Sequence, residues 1–256
     1  MSLRIFHTVN SGLLLFRGEC GLAVDAIHGA HKGFSAMPEA AKQDMLHCAG
    51  VFSGIRGALF THAHSDHYDR SLFDAFLERN GPMPFYGPGI SDSSIQSSGM
   101  DGGLQRIDMQ GITIVAKDTP HDGRGFEQIP HQSYWVSIGG EGEWILIAGD
   151  GQLCGEDADG FCRMTDGAVS AAFCNPFQIL SSDGQQFLRR MAPQQIYLYH
   201  IPLEEDDCYC CHTLAAQILR KPPRGLPEIK PLAPMQWIGT DREDAAGRTR
   251  KLETHR

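Results

Sequence analysis

The stretch FTHAHSDHYD, residues 60–69, places three histidines and two aspartates within ten positions. The apolar run RGALFT (56–61) leads into it and predicts a buried strand. The amphipathic run SLFDAFLERN (71–80) follows it and predicts a helix that ends at Gly81. The titratable cluster therefore lies in a loop between a strand and a helix, where the functional sites of α/β proteins are commonly found.

The residues in this loop are of the types that bind divalent metal ions. His62 and His64 are two positions apart and can point to the same side of an extended turn, while Asp66 and His67 can reach a neighbouring point. Neutral imidazole is a good zinc ligand, and a carboxylate adds negative charge. A hydrophobic core would hide so many polar groups only at a high cost in free energy. We therefore interpret the H-x-H-x-D-H string as the start of one metal site or as part of two.

Three further candidate ligands each follow an apolar, strand-like run. His121 follows ITIVAKDTP, Asp150 ends EWILIAGD, and His200 ends QQIYLYH. Taken singly, a histidine at a strand end is more often an ordinary polar contact, but adjacent strands would bring all three ends to one edge of a sheet. One catalytic zinc typically keeps three protein ligands, whereas two ions that share a carboxylate can use more. The predicted metal ligands are His62, His64, Asp66, His67, His121, Asp150 and His200.

The composition is that of a soluble globular protein, with 256 residues, 41% hydrophobic and 21% charged, and a formal net charge of −9. No long basic run precedes the C-terminal tail, so nucleic acid is not an expected partner, and we expect a small-molecule substrate. No apolar run reaches the roughly 18 residues that a membrane span needs, and the N-terminus lacks a signal-peptide profile. We therefore expect a cytoplasmic protein whose cysteines are reduced and which does not interact with a membrane.

Short apolar runs alternate with turn signals along most of the chain. LRIFHT and LLLFR flank Asn10–Gly12 and predict a hairpin, and PEAAKQDMLHC (38–48) predicts a helix. Further predicted strands have helices between them, which suits sheets packed face to face with helices outside.

The acidic stretch 151–167 is predicted to be a polar, turn-rich connection or a cover over the site. We predict one domain over residues 1–240 and a polar C-terminal tail over 241–256.

The string HAHSDH (62–67) resembles the signature of the metallo-β-lactamase fold hydrolases. PHDG with His121, ILIAGD with Asp150 and YLYH with His200 follow in the order of that family, so that the resemblance covers roughly residues 3–203. It implies an α/β protein with a four-layer αββα sandwich of two mixed β-sheets, the metallo-β-lactamase fold. The metals would lie at one edge between the two sheets.

The resemblance also implies how the ligands divide between two divalent metal ions. Zinc is the usual occupant in this family, and manganese or iron occurs in some members. Asp25, which closes GLAVD, resembles the family's early structural aspartate. One metal would be held by His62, His64 and His121, the second by Asp66, His67 and His200, and Asp150 would bridge them.

The function implied is that of a dinuclear metal-dependent hydrolase. Two ions roughly 3.5–4 Å apart can hold a bridging hydroxide, which would attack an ester, lactone, thioester or phosphodiester of a small molecule. Asp66 or Asp150 could accept and return a proton as catalytic residues. Aspartate rather than cysteine at position 150 is similar to the branch of thioesterases, lactonases, phosphodiesterases and tRNA-processing nucleases.

Two alternatives remain open from the sequence. One is a di-iron oxidoreductase on the same fold, although such members typically carry glutamate where this chain has Ala63, together with a flavin domain for which no room remains. The other is a non-catalytic member that uses the pocket to bind a ligand. A complete set of metal ligands favours the hydrolase over both.

Two weaker candidates lie outside this set. His131 competes with His121 as a ligand, although we favour a contact to a metal ligand or to the substrate. The CYCCH string, Cys208–His212, suggests a separate zinc site, but zinc sites usually use a C-x2-4-C spacing with a second pair elsewhere. A helix over 206–220 would also turn these side chains in different directions, so we predict free thiols.

Overall fold

The structure is a computed structural model that describes residues 2–92, 95, 97–100, 103–139, 142–164 and 168–239. The polar tail predicted for residues 241–256 lies outside the described residues, and the single domain over 1–240 stays a prediction. The helices are α1 (Glu39–Leu46), α2 (Arg70–Asn80), α3 (Gly155–Met164), α4 (Pro176–Leu180), α5 (Ser182–Met191) and α6 (Cys211–Arg220), with a short 3₁₀ helix at Gly50–Phe52. The strands are β1 (Leu3–His7), β2 (Leu13–Arg17), β3 (Cys20–Val24), β4 (Ile55–Leu59), β5 (Phe85–Tyr86), β6 (Ser97–Gly99), β7 (Leu104–Met109), β8 (Ile112–Asp118), β9 (Gln132–Ile138), β10 (Trp144–Ile147), β11 (Val169–Cys174), β12 (Gln195–Leu198), β13 (Ile229–Pro231) and β14 (Gln236–Gly239).

The strands form two mixed sheets. In the first sheet the order is β14-β1-β2-β3-β4-β5, and β3, β4 and β5 run parallel while the other neighbours are antiparallel. In the second sheet the order is β13-β12-β11-β10-β9-β8-β7-β6, with β10 to β13 parallel and the remaining pairs antiparallel. The predicted hairpin forms as β1 and β2, and the predicted helix at 38–48 is α1.

Alternation along the strands of the first sheet separates two apolar layers. Leu13 and Leu15 belong to the core between the two sheets, while Leu14 and Phe16 belong to the layer beneath α1 and α2. Successive residues of a strand point to opposite faces, so both faces of this sheet are covered and its strands are apolar throughout. The helices α1 and α2 therefore form one outer layer.

Helices α3 to α6 cover the outer face of the second sheet. Trp135 of β9 points to this layer, and its ring stacks on Phe161 of α3 with the centroids 4.6 Å apart. The stretch 151–167 thus contains a helix where the sequence predicts a connection, because Ala158 and Phe161 share one buried helical face. Among the described residues, no helix is long and apolar enough to cross a membrane.

Candidate metal centre

All seven predicted ligands converge where the C-terminal ends of β4, β8, β10 and β12 meet. The 62–67 turn follows β4 of the first sheet, and the other three ligands follow strands of the second sheet. Side-chain nitrogen and oxygen atoms within each of two groups lie within 4.8 Å of one another. The first group contains His62, His64, His121 and Asp150, and the second contains Asp66, His67 and His200.

The first group is a triangle of imidazole nitrogens. His121 Nε2 lies 3.3 Å from His62 Nε2 and 3.2 Å from His64 Nδ1, and the last two atoms are 2.9 Å apart. Asp150 Oδ2 stands 3.7 Å from His121 Nε2 and 3.9 Å from His62 Nε2. Three nitrogens and one carboxylate oxygen therefore face one point.

The second group faces the same carboxylate from the other side. His67 Nε2 and His200 Nε2 are 2.8 Å apart, and Asp66 Oδ2 lies 3.7 Å from the first atom and 3.5 Å from the second. Asp150 places Oδ2 at 3.6 Å from His67 Nε2 and Oδ1 at 3.4 Å from His200 Nε2. Asp150 therefore lies between the two groups, as expected for a shared ligand.

Asp25 orients the imidazole of His67 from outside the two groups. Its Oδ2 accepts hydrogen bonds from His67 Nδ1–H at 2.8 Å and from the Thr61 hydroxyl at 2.7 Å. Its Oδ1 accepts the Thr61 N–H at 2.8 Å. Asp25 is fully buried and has a left-handed backbone with φ of 48°. The Nδ1 proton is thereby committed to Asp25, and Nε2 is directed into the second group.

The electrostatics of the cluster favour positive charge at its centre. Burial, aided by His67, lowers the pKa of His62 well below its usual range, and burial together with His121 lowers the pKa of His64 to about 4. Burial would also lower the pKa of His67, but the carboxylates of Asp25, Asp66 and Asp150 outweigh it and raise the pKa well above its usual range. The carboxylates thus draw a proton onto His67, while His62 and His64 stay neutral and keep their lone pairs.

Asp150 is ionised in the same surroundings. Burial alone would raise its pKa, but His200 and His67 outweigh that effect and hold the pKa well below its usual range. The chain therefore presents a carboxylate between two sets of imidazoles, which is a donor set suited to divalent ions such as zinc.

Two features of the cluster have no explanation within the protein alone. Imidazole nitrogens face one another at 2.8–3.3 Å in both groups. An N–H proton can form a hydrogen bond within only one such pair at a time, so the protein's own protons do not account for all of these close approaches. Among the described residues, the buried Asp66 Oδ1 also has no hydrogen-bond partner. Cations within the groups would satisfy these atoms, so the residues present fit bound divalent metal ions.

The turn that carries Asp150 is held by several buried side chains. Gly149 has φ of 56°, and a Cβ there would lie 2.5 Å from His131 Nε2. His131 Nε2 accepts the Asp150 N–H at 2.9 Å, and its Nδ1 lies 2.8 Å from Thr119 Oγ1. His131 belongs to neither ligand group and contacts a predicted metal ligand instead, which is the contact that the sequence favours for it.

A glutamine at the start of a helix fixes the same turn. Gln178 Nε2 donates to Gly149 O at 3.0 Å and to Gly151 O at 2.8 Å. The amide oxygen of Gln178 accepts Asn175 N–H, and Asn175 Oδ1 accepts Gln178 N–H, which forms a capping box at the start of α4. No role for these two residues is predicted from the sequence, because the contact depends on how α4 packs against the turn after β10.

The CYCCH string does not form a metal site within the described part of the chain. Cys208 and Cys210 are exposed, Cys211 is buried, and His212 Nε2 lies 2.7 Å from Pro202 O. The predicted helix begins only at Cys211, because the Asp207 carboxylate accepts the N–H groups of Cys211 and His212. The string therefore straddles a turn and a helix start, with its thiols unpaired.

A cleft of about 240 Å³ opens above the two groups. Four aromatic side chains surround it, and we call them the aromatic rim: Phe34, Phe126, Phe177 and Tyr209. His31 also lines the cleft and stacks on His64 with the ring centroids 4.9 Å apart. The sequence analysis missed the rim, because isolated aromatic residues in loops carry no local signal that they will meet.

Comparisons with known proteins agree with this architecture. No family model and no curated protein sequence matches the chain. Its structure is similar to that of a possible metal-dependent hydrolase from Veillonella parvula, with a TM-score of 0.61 and 10% identity over 93% of this chain and 100% of the other. It is also similar to Igni18, a metallo hydrolase from the archaeon Ignicoccus hospitalis, with a TM-score of 0.58 and 15% identity over 93% and 98% of the two chains.

The fold is also similar to that of a diiron enzyme. CmlA, a diiron β-hydroxylase from Streptomyces venezuelae, matches with a TM-score of 0.53 and 10% identity over 93% of this chain and 54% of the other. The two mixed sheets with helices on their outer faces confirm the αββα sandwich that the resemblance implies.

Proposed function

We propose that this protein is a dinuclear metal-dependent hydrolase of small molecules. The observation that carries the proposal is the convergence of five imidazoles and two carboxylates into two groups with Asp150 between them. The fold similarity to two metal-dependent hydrolases supports it. We propose two zinc ions as the resident metals, with manganese and iron as the other candidates.

The chain's own residues would perform three tasks. Two divalent ions, when bound, supply a nucleophile from water at neutral pH and polarise the bond under attack. Asp150 and Asp66 both line the cleft at this centre, and we assign to them the acceptance of the proton from water and its return to the leaving group. The rim would surround the apolar part of a bound substrate.

A cytoplasmic location belongs to the same proposal. All eight cysteines are unpaired in the structure. Free thiols are typical of proteins kept in a reducing compartment.

The experiment compares metal-free and metal-loaded protein on panels of esters, lactones, thioesters and phosphodiesters. Zinc is expected to restore turnover of one bond class, and His62→Ala and Asp150→Ala to reduce it to background. His47→Ala is the matched control, because His47 is exposed at the end of α1 and belongs to neither group. Full turnover by the two site variants in the presence of zinc would overturn the proposal.

An oxygen-dependent activity is the second candidate, favoured by the fold similarity to the diiron β-hydroxylase. Iron-loaded protein that consumes oxygen, with no hydrolysis by the zinc form, would decide for that alternative. Complete metal binding with neither activity would decide for a ligand-binding protein.

A further inference from the structure

The aromatic rim contacts both ligand groups. The ring of Phe126 stands edge-on to His64 and tilted to His121, with centroid distances of 5.2 and 5.3 Å. On the opposite side, Phe34 stands edge-on to His200 at 4.3 Å and stacks on Tyr209 at 5.5 Å. A molecule that contacts both groups therefore lies beside aromatic side chains.

The rim is also unusually exposed. Six large hydrophobic side chains in the described part of the chain are more than a third exposed, and three of them line this one cleft. These are Phe126 at 37%, Phe177 at 38% and Tyr209 at 41%. Clustered exposed apolar groups mark binding surfaces, whereas scattered ones need no explanation.

Charge restricts what the cleft can hold. Among the described residues, none of those lining it is lysine or arginine, and its acids are Asp66, Asp122 and Asp150. Anionic groups of a substrate that extend beyond the ligand groups would meet no lysine or arginine among the residues that line the cleft, and they would face the Asp122 carboxylate. Nucleotides, coenzyme A thioesters and polynucleotides carry several such groups, and they bind mainly through lysine and arginine.

We infer that the substrate, given the hydrolase proposed above, is an uncharged ester, lactone or thioester with an aromatic or compact apolar group. The flat group would lie between Phe126 on one side and Phe34 with Tyr209 on the other, and the acyl carbon of the substrate would lie over the two ligand groups. In the reaction, water adds its oxygen to the acyl carbon as the bond to the leaving oxygen or sulfur breaks. The released proton passes to that leaving atom.

The experiment measures binding, so that it does not depend on which bond is cleaved. Three metal-binding probes are titrated calorimetrically into zinc-loaded protein: acetohydroxamate, benzohydroxamate and 4-carboxybenzohydroxamate. We expect benzohydroxamate to bind about tenfold more tightly than acetohydroxamate, and the carboxylated probe to lose most of that gain.

Two rim variants and one control assign the preference to the rim. Phe126→Ala and Tyr209→Ala are each expected to reduce the ratio of the benzohydroxamate and acetohydroxamate affinities by roughly 2- to 12-fold. Trp237→Ala is the control, because Trp237 is an aromatic residue at 45% exposure that does not line the cleft. Phe177→Arg is expected to favour the carboxylated probe, and melting temperatures verify that all four variants are folded.

The outcomes separate this inference from the proposed function. Zinc-dependent binding of all three probes with equal affinity, or an unchanged ratio in both rim variants, would overturn the inference and leave the metal centre intact. Zinc-independent binding or no binding of any probe would overturn the proposed function and the inference with it.

Discussion

Asp25 shows how one buried residue outside the ligand groups governs a predicted ligand. Its Oδ2 accepts a hydrogen bond from His67 Nδ1–H. In the Asp25→Asn variant, one of the two orientations of the side-chain amide would place an N–H against His67 Nδ1–H, where an acceptor is needed. Asp25→Asn is therefore expected to weaken the affinity for zinc at the second group by roughly 10- to 100-fold. Zinc titration against a competing chelator measures the effect, with the exposed Asp44→Asn as control. Equal affinities in the two variants would contradict the role given to Asp25.

His131 makes the stability of the metal-free protein depend on pH. Burial lowers its pKa to about 3 from the ordinary 6.5, so in mildly acidic solution the unfolded chain binds a proton that the folded chain excludes. The free energy of unfolding therefore falls as the pH falls below about 6.5. Between about pH 7 and pH 5 this one group accounts for about 2 kcal/mol.

A variant isolates that contribution. His131→Gln removes the titration, so its free energy of unfolding from urea denaturation is expected to fall less between the two pH values than that of the natural chain. The raised pKa of His67 acts in the opposite direction, mainly above pH 6.5, and because His67 is present in both proteins it does not alter their difference. Parallel pH curves for the two proteins would contradict the assignment.

At this scale, residue type and spacing were enough to predict which side chains converge. Imidazoles and carboxylates in a string such as HAHSDH have few structural uses, so their chemistry is readable in the sequence. The partners Asp25 and Thr61 are less readable, and the four aromatic residues of the rim are not readable, because exposed phenylalanine and tyrosine occur in many loops without a role.

At the scale of elements, the capping box of α4 ties a helix to the Asp150 turn. Gln178 is buried and donates to two carbonyl oxygens of that turn, so Gln178→Ala removes both hydrogen bonds and leaves Gly149 O only the longer one from Asn175 Nδ2 at 3.4 Å. The loss is expected to cost about 1–3 kcal/mol in the free energy of unfolding and to weaken zinc binding. Gln185→Ala is the matched control, because its Nε2 also donates to backbone carbonyls but does not touch the turn.

Urea denaturation and zinc titration read out the two effects. Gln185→Ala is expected to lower stability only and to leave zinc affinity unchanged. If Gln178→Ala also left zinc affinity unchanged, the turn would be held without it and the claim would be wrong.

The elements that the sequence predicted best are those with a strong local pattern. The hairpin of β1 and β2 has turn residues between apolar runs, and α2 has an amphipathic run closed by Gly81 at φ of 85°. Helix α3 was missed, because glycine and aspartate are poor helix formers and the packing of Phe161 on Trp135 stabilises the helix from outside its own sequence.

At the scale of the whole molecule, the predicted ligands come from both sheets, whose facing sides also share one apolar core. The 62–67 turn belongs to the first sheet, and the ligands after β8, β10 and β12 belong to the second. Metal ions bound by both would therefore stabilise the folded chain as a unit, by about 2.7 kcal/mol per site at a free zinc concentration 100-fold above Kd.

Thermal denaturation with and without a chelator tests this expectation. The metal-free protein is expected to melt in one transition at a lower temperature, and zinc to restore the higher Tm. In the His67→Ala variant the gain on adding zinc is expected to shrink, whereas in His47→Ala it should equal that of the natural chain. A zinc-independent Tm would contradict the idea that the ions join the sheets.

The order of the strands in the two sheets was not readable from local sequence. Pairing of β1 with β14, more than 200 residues apart along the chain, depends on long-range packing rather than on a pattern near either strand. The layer architecture came instead from the resemblance, and the HAHSDH string was its most specific part.

Anomalous diffraction at the zinc absorption edge, from crystals of the zinc-loaded protein, would locate the bound ions. Two peaks are expected in the cluster, one bound by the His62, His64 and His121 nitrogens and the other by Asp66, His67 and His200. Asp150 should reach both peaks. A single peak in the cluster, or zinc bound only elsewhere on the molecule, would contradict the proposed dinuclear centre.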